Sequence, residues 1–225
     1  MDDNVISSVP LFEALGEEDR HSLREVMTEV SLRRGEMLFD EGDPGDRLYV
    51  LTTGKMKVGH TASDGRENLL AVLGPGEVLG ELTLFDPGPR STSATAVAPT
   101  HLLQLEHRDL MSLLDSRPIL ARHMLRALAI RLRRTNESLA DLVFSDVPGR
   151  VAKALLDLAE RFGQRTEDGI HVPHDLTQEE LAQLVGASRE TVNKSLAEFV
   201  SRGWIRLEGR AVLLLDVDRL KRRAR

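Results

Sequence analysis

The most restrictive feature of the sequence is the segment from Arg117 to Phe144, which contains no glycine and no proline after Pro118. Within it, side chains recur at alternating spacings of three and four residues: Leu125, Leu128, Leu132, Thr135, Leu139 and Leu142. This period is typical of the seam of a coiled coil. A helix of about 27 residues is about 40 Å long, more than a small domain needs. We therefore predict a dimerisation helix and hinge over 117–145, the alternative being a helix that packs only against its own domain.

Short apolar segments punctuated by glycine precede this helix. Ten of the 17 glycines fall between residues 35 and 88, around segments such as DRLYVLTTG and KMKVGHT. Short alternating segments separated by turn signals predict an all-β sandwich or barrel. The DG dipeptide at 64–65 predicts a hairpin turn, and a short helix is expected around Glu17 to Glu29. Residues 1–116 are thus predicted to form a β-barrel of the jelly-roll type.

The long helical pattern breaks at Pro148 and Gly149, so we place the hinge there and predict a second domain over 146–225. Its first helix is expected from about Val147 to Phe162. Residues 145–225 hold 14 Lys and Arg against 13 Asp and Glu, whereas the rest of the chain holds 16 against 23. The net charge of −6 therefore belongs to the first part, and the basic ending DRLKRRAR leaves nucleic-acid binding open.

The second domain contains the pattern of a helix-turn-helix. Thr177 and Glu180 have the spacing of a capping box, and Gly186 suits a sharp turn. Ser188 is the N-cap of a second helix, whose core-facing side chains are Val192, Leu196 and Phe199. The segments WIRLE and AVLLLD that follow predict a two-stranded wing, so the motif is interpreted as a winged helix-turn-helix.

The first turn of the second helix is the part that enters the major groove in this motif. It carries Arg189, Glu190 and Thr191, with Lys194 one turn further on. Arginine pairs with guanine O6 and N7 and glutamate accepts from cytosine N4, so this turn is expected to contact a G·C-containing step. Phosphate contacts are expected from three further arginines: Arg202, Arg206 and Arg210. The alternative is an amphipathic helix with a solvated charged face.

The absence of cysteine excludes disulfides, thiol catalysis, thiolate zinc sites and cysteine-ligated iron–sulfur clusters. The amino terminus shows no basic segment followed by an apolar run, and no stretch approaches about 18 apolar residues. A soluble, cytoplasmic protein without a membrane partner is therefore expected.

Metal, haem and enzymatic sites are not predicted. His171 and His174, in HVPH, are the strongest metal candidates, but two histidines without a third ligand are more often surface residues. The remaining candidates for a haem or metal ligand are expected on exposed strands or turns: His60, His101 and His107. No catalytic triad, phosphate-binding glycine loop or carboxylate pair stands out, so the chain is not expected to be an enzyme.

In four segments the chain resembles the CRP/FNR superfamily of transcriptional regulators, most closely its actinobacterial cAMP receptor proteins. The segments, in order, are GDRLYVLTTGKMKV, GELTLFDPGPRS, RRTNESLADLVFSDVPGR and VGASRETVNKSLAEF. The resemblance covers nearly the whole chain and implies an α+β protein with a cyclic-nucleotide-binding jelly roll, a dimerisation helix and a winged helix-turn-helix. It also implies a homodimer, cAMP as allosteric ligand, a palindromic operator with TGTGA-like half-sites, and RNA polymerase as a partner.

The resemblance implies a cAMP site formed by Gly80, Glu81, Leu82, Arg90, Ser91, Thr135 and Asn136. Glu81 matches the residue that contacts the ribose 2′-hydroxyl, and Arg90 and Ser91 match the pair that holds the cyclic phosphate. The planar fork of Arg90 suits phosphate oxygens. Thr135 and Asn136 match positions that meet the adenine, the latter from the opposite subunit. Without the resemblance, Thr135 is equally well explained as a residue that fixes coiled-coil register or bonds to its own helix.

For the DNA-binding domain, the resemblance assigns base contacts to Arg189, Glu190 and Lys194. The predicted DNA-binding set also includes Thr177, Gln178, Ser188 and Thr191. The chain departs from the family at Gln178, where the best-known enterobacterial relative has arginine, and in a loop before Arg90 that is one residue shorter. The second hypothesis for the function is a DNA-binding regulator of the same fold that acts without ligand or with a different effector.

Overall fold

The computed structural model describes residues 16–61, 67–86 and 88–224. The described residues group into two compact units, and the boundary falls within the long helix, between Arg134 and Thr135. Residues 67–69 group with the second unit. The predicted domain limits do not coincide with this boundary and remain predictions, and the predicted DG turn lies outside the described residues.

The first unit begins with helix α1 (Glu17–Val26), followed by short strands and further helices. The strands are β1 (Thr28–Leu32), β2 (Met37–Phe39), β3 (Arg47–Thr53), β4 (Met56–Thr61), β5 (Glu67–Leu73), β6 (Val78–Leu79), β7 (Ser93–Ala96) and β8 (Thr100–Glu106). The helices are α2 (Leu82–Phe85), which precedes β7, and α3 (His107–Ser116) and α4 (Pro118–Phe144), which follow β8. The predicted first helix and long helix are confirmed.

The strands of the first unit form two four-stranded sheets, with the orders β1-β8-β3-β6 and β2-β7-β4-β5. The pairings β1–β8, β3–β8 and β4–β7 are antiparallel. Among the described strands neither sheet closes on itself. The predicted α+β fold class is confirmed, with the jelly roll present as two open sheets rather than a closed barrel.

Strand β3 is buried on both faces because it lies between two apolar clusters. Leu48 and Val50 contribute to a cluster that includes side chains of α1, α3 and α4. Tyr49 and Leu51, which alternate with them, contribute to a second cluster with side chains from both sheets. Successive strand side chains point to opposite faces, and burying each large apolar side chain stabilises the fold by about 1.5–3 kcal/mol. The core of the first unit therefore has two layers, one on each side of β3.

Helix α4 buries its beginning and exposes the predicted seam. Leu120 and Met124 belong to the helix-side core, whereas the seam leucines further along are mostly exposed, Leu125 by 66% and Leu132 by 63%. Leu139 and Leu142 are also more than half exposed. The seam thus presents exposed leucines on both sides of Thr135, a feature typical of an interaction surface.

The second unit contains the remaining helices and strands. They are α5 (Val147–Phe162), β9 (Gln164–Arg165), β10 (Ile170–Val172), α6 (Gln178–Val185), α7 (Arg189–Ser201), β11 (Ile205–Glu208), β12 (Ala211–Leu214) and α8 (Val217–Arg223). The strands form one sheet with the order β11-β12-β10-β9. Helices α6 and α7 are the predicted helix-turn-helix and β11–β12 is the wing, so the winged helix-turn-helix is confirmed.

The local signals that predict the helix-turn-helix are all present in the structure. Thr177 and Glu180 form the reciprocal capping box at the start of α6. Gly186 ends that helix in the left-handed conformation, with φ of 68°, where glycine has no steric penalty. The Ser188 hydroxyl accepts the Thr191 N–H at 3.2 Å and so caps α7. Three α7 side chains fill the core beneath it: Val192, Leu196 and Phe199.

The helix break falls before the predicted hinge at Pro148 and Gly149: α4 ends at Phe144 and α5 begins at Val147. Asp146 is the N-cap of α5, and its carboxylate accepts the Gly149 N–H at 3.0 Å. Pro148 and Gly149 lie inside the first turn of α5 rather than in the linker. Proline is favoured at the start of a helix because its missing N–H would have no helical partner there.

The β3–β4 turn offers a matched test of glycine packing. Gly54 and Gly35 both have positive φ, 88° and 83°, but a Cβ on Gly54 would lie 2.3 Å from the Pro99 carbonyl oxygen, whereas Gly35 has open space. Gly35→Ala should cost about 1–2 kcal/mol from backbone strain. Gly54→Ala should cost at least about 1 kcal/mol more because of the clash. Urea unfolding measures both, and equal losses would show that the Pro99 contact is unimportant.

Candidate functional site

A pocket of the first unit brings together the five cassette residues that the resemblance assigns to cAMP. Its rim includes Gly80, Glu81, Leu82, Arg90 and Ser91. Its apolar wall is formed by Phe39, Val58, Leu73 and Leu79. Apolar walls with a few convergent polar groups are typical of small-molecule sites. This cavity has a volume of about 20 Å³, room for about one water molecule, so a larger ligand requires its lining side chains to move apart.

Gly80 is the residue that allows the Arg90 side chain to enter this pocket. Its φ is +81°, and a Cβ there would lie 2.2 Å from Arg90 Nη1 and 2.8 Å from the Arg47 carbonyl oxygen. Arg90 Nη1 donates to the Gly80 carbonyl at 3.2 Å, and Nη2 donates to the Arg47 carbonyl at 2.7 Å. Any residue with a side chain at position 80 would displace the guanidinium.

The Arg90 guanidinium is a buried cation that has no anionic partner in the part of the chain that the structure describes. The residue is 4% exposed, and among the described residues no carboxylate lies within ion-pair distance of it. Its Nε is buried and has no hydrogen-bond partner in that part of the chain. The ring of Phe39 lies 4.5 Å from Cζ, a cation–π contact that offsets part of the desolvation. Burial lowers the pKa of Arg90, although Tyr49 and nearby carboxylates oppose that shift. The arrangement suits an anionic ligand.

Glu81 is 5% exposed and forms an ion pair with Arg131 of α4. Arg131 lines the same pocket and was not predicted from the sequence. The available signal is its position four residues before Thr135, which is about one helical turn, in the basic stretch RLRRTN. The pair fixes the direction of the Glu81 carboxylate at the rim.

The other two predicted ligand contacts lie outside this pocket's rim. Thr135 and Asn136 are on α4, within the part that groups with the second unit. Both side chains are exposed. The structure thus brings five of the seven predicted residues together, and the roles of all seven remain predictions.

The start of α7 presents the predicted base-reading side chains to solvent. Arg189 and Glu190 are exposed, and Lys194 forms an ion pair with Glu190 at 2.7 Å. Thr191 is half-buried, and its hydroxyl lies 2.8 Å from the Ser188 hydroxyl. Arg189, Glu190 and Lys194 thus lie exposed on neighbouring turns, with side chains of the types that pair with base edges.

Some of the remaining side chains predicted to contact DNA already have partners within the protein. The Thr177 hydroxyl serves the capping box, while Gln178 is exposed at the first position of α6. On the wing side, Arg202 pairs with Glu198 at 2.8 Å and Arg206 with Glu208 at 3.0 Å. To contact a DNA phosphate, each of these two arginines would have to leave its glutamate partner. Arg210 is exposed beside the wing turn.

Arg150 ties the hinge to the turn of the helix-turn-helix. Its Nη1 donates to the Ser145 carbonyl at 2.8 Å. Its Nε and Nη2 donate to the carbonyls of Val185 and Gly186, at 3.0 Å and 3.2 Å. Sequence reasoning missed this residue because carbonyl acceptors leave no trace in the side-chain pattern. One guanidinium therefore joins the end of the α4 segment to the turn that precedes α7.

The histidine prediction needs two corrections. His107 begins helix α3 and is half-buried, rather than lying on an exposed strand or turn. His174 is not a surface residue: it is buried, and its Nδ1 accepts the Leu176 N–H at 3.1 Å. It helps to order the chain before α6 because a buried imidazole nitrogen requires a partner. In the described ranges, no cluster of three metal-ligating side chains occurs. No helix in those ranges is long and apolar enough to cross a membrane.

The fold defines a class of protein: a two-sheet domain followed along the chain by a long helix and a winged helix-turn-helix. The Cyclic nucleotide-binding domain family matches residues 29–117, and the Crp-like helix-turn-helix domain family matches residues 149–223. The chain therefore belongs to the CRP/FNR family of transcriptional regulators and is close to its actinobacterial CRP members. Its relatives are regulators rather than enzymes.

Individual comparisons agree with this assignment. The chain is 52% identical to the CRP-like cAMP-activated global transcriptional regulator of Mycobacterium tuberculosis, over 99% of this chain and all of that protein. It is 37% identical to the Cyclic AMP receptor protein of Thermus thermophilus, over 88% of each chain. The structure of FixK2 from Bradyrhizobium japonicum matches with a TM-score of 0.78 and 25% identity, over 88% of this chain and 96% of that one.

The hinge carboxylate predicts a pH dependence of stability. The hydrogen bond from Arg223 lowers the pKa of Asp146; partial burial opposes this shift and the Gly149 N–H adds to it. A depressed folded pKa gives stability that is present above the unfolded value of about 3.9 and is lost as pH falls through the folded pKa. When the pH is lowered from about 6 to below about 4, the free energy of unfolding should therefore fall less in Asp146→Asn than in wild type.

Urea unfolding at several pH values measures this difference. Glu167→Gln, an exposed carboxylate of the same unit, is the control. If both variants retain the full acid-induced loss of stability, Asp146 contributes nothing to it.

Proposed function

We propose that the protein is a cAMP-responsive, homodimeric DNA-binding regulator that recognises a palindromic operator with TGTGA-like half-sites. The observation that carries this proposal is Arg90, a buried cation that lines a pocket and whose Nε has no partner among the described residues. Burying a charge without a partner is costly unless a ligand supplies the opposite charge. A cyclic phosphate has the charge and the oxygen geometry that a guanidinium fork binds.

The ligand is held by the cassette and by α4. Arg90 and Ser91 bind the cyclic phosphate, and Glu81, oriented by Arg131, accepts the ribose 2′-hydroxyl. Backbone groups of Gly80 and Leu82 complete the cassette. Thr135 and Asn136 contact the adenine, the latter from the second subunit. The name of the mycobacterial relative, a cAMP-activated regulator, supports cAMP as the nucleotide.

The exposed seam of α4 supports the homodimer. A second copy of the chain has the same leucine stripe, so the two helices can bury it against each other as knobs in holes. Ligand that contacts both the cassette and this helix has different contacts in different dimer arrangements, and so shifts their populations.

Operator binding is assigned to the first turn of α7 and the caps around it. Arg189, Glu190 and Lys194 contact base edges. The DNA backbone around them is contacted by four further residues: Thr177, Gln178, Ser188 and Thr191. In a two-fold dimer the two α7 helices must be about 34 Å apart to enter successive major grooves. RNA polymerase is a further partner by family membership.

Calorimetry with cAMP tests the ligand. Arg90→Leu should weaken cAMP binding at least about 100-fold, because it removes charge-assisted hydrogen bonds worth about 1.5–3 kcal/mol each. Arg108→Leu, an exposed arginine of the same unit, is the control and should bind as wild type does. Thermal unfolding checks that both variants are folded. Equal binding by wild type and Arg90→Leu would reject the site.

The absence of cAMP binding to wild type, together with intact operator binding, would support the second function instead. In that case the fold binds DNA without ligand or with a different effector. Operator affinity with and without cAMP, at a stated salt concentration, separates the two.

Arg189→Ala tests the base contact. The substitution should cost about 1–3 kcal/mol on the operator and relax the preference at one guanine. Fluorescence anisotropy on operators that differ at single positions, and on random DNA, measures both effects. An equal loss on random DNA would make Arg189 a phosphate contact.

A further inference from the structure

Helix α8 packs its apolar side into the second unit and keeps most of its charges outside. Asp216 caps it by accepting the Arg219 N–H at 2.9 Å, and Leu220 is fully buried. Arg219, Lys221 and Arg222 are exposed, whereas Arg223 is half-buried. Arg223 therefore differs from its basic neighbours, and its partner indicates its role.

The partner of Arg223 is the hinge residue Asp146. Arg223 Nη2 donates to Asp146 Oδ2 at 2.6 Å, while Oδ1 of the same carboxylate accepts the Gly149 N–H. Both oxygens of the helix cap are thus used, one by α5 and one by α8. The short charge-assisted bond fixes the orientation of the carboxylate more firmly than a neutral cap alone.

Gly149 makes this approach possible. It is buried, and a Cβ there would lie 3.0 Å from Asp146 Oδ1 and 3.3 Å from the Arg223 carbonyl oxygen. Since its φ is not in the left-handed region, close packing is the feature that favours glycine at this position. The first turn of α5 and the end of α8 are in direct contact there.

The hinge is consequently held from two directions. Arg223 holds Asp146 from α8, and Arg150 joins Ser145 to the turn between α6 and α7. Packed side chains, hydrogen-bond networks and rigid elements are the structures that carry coupling between distant sites. How firmly residues 145–150 are held therefore affects how well the long helix is coupled to the DNA-reading helix.

We propose that Arg223 is a positioning residue for DNA binding, which acts through Asp146 to keep the hinge segment 145–150 ordered. Its guanidinium binds the Asp146 carboxylate of the hinge instead of a DNA phosphate. This role separates it from Arg222, which has the same charge on the same helix and is exposed.

Hydrogen exchange of the amides of residues 144–151 tests the proposal on the full-length protein. Arg223→Gln should speed exchange about two- to fivefold, the loss expected for one largely exposed ion pair. Arg223→Lys should restore part of the protection, and Arg222→Gln should leave it unchanged. In the Asp146→Asn background, which keeps a capping side chain, Arg223→Gln should have little further effect. Unchanged exchange in Arg223→Gln overturns the proposal.

Operator binding supplies the second measurement. The ratio of affinities with and without cAMP should fall at least about threefold in Arg223→Gln, with an unchanged dependence on salt. A loss on operator and random DNA alike, with a salt slope lower by about one, would make Arg223 a phosphate contact and overturn the proposal. This second measurement rests on the proposed function: a wild-type ratio of one rejects cAMP control, while the exchange experiment still decides the role of Arg223.

Discussion

The candidate ligand site depends on the burial of one guanidinium, that of Arg90, which meets no anion among the described residues. Arg90 is held by two backbone carbonyls and by the face of Phe39, all of which are uncharged partners. They orient the fork but leave its charge uncompensated in a medium of low dielectric constant. The neighbouring carboxylate of Glu81 is paired with Arg131. The pocket therefore retains a positive charge in a domain whose total charge is negative.

The second unit uses the same chemistry for a mechanical purpose. Arg150 donates hydrogen bonds to carbonyls of the hinge and of the helix-turn-helix. Arg223 donates to the carboxylate that caps α5. An arginine fork can join segments that do not touch through their own backbones, because it carries five donors in a rigid plane. These bonds fix the segment between α4 and α5 against the rest of the second unit.

Much of the fold could be predicted because its signals are local. The capping box at Thr177, the turn at Gly186 and the cap at Ser188 each depend on residues within four positions of one another, and all three are present. The functional role of Arg90 could be proposed from its loop and from the family resemblance. The burial of His174 and the ion pair of Glu81 with Arg131 could not be predicted, because neither follows from the spacing of residues along the chain.

The sequence by itself determined the order of the elements, the winged helix-turn-helix, the apolar seam of the long helix and the residues that carry charge. Tertiary structure alone decided which arginines are buried and what they bind. The acceptor of Arg90 at Arg47 is 43 residues away, the partner of Arg131 is 50 away and that of Arg223 is 77 away. Such partners meet only after the core has formed, since packing brings distant backbone segments together and a carbonyl acceptor is present at every position.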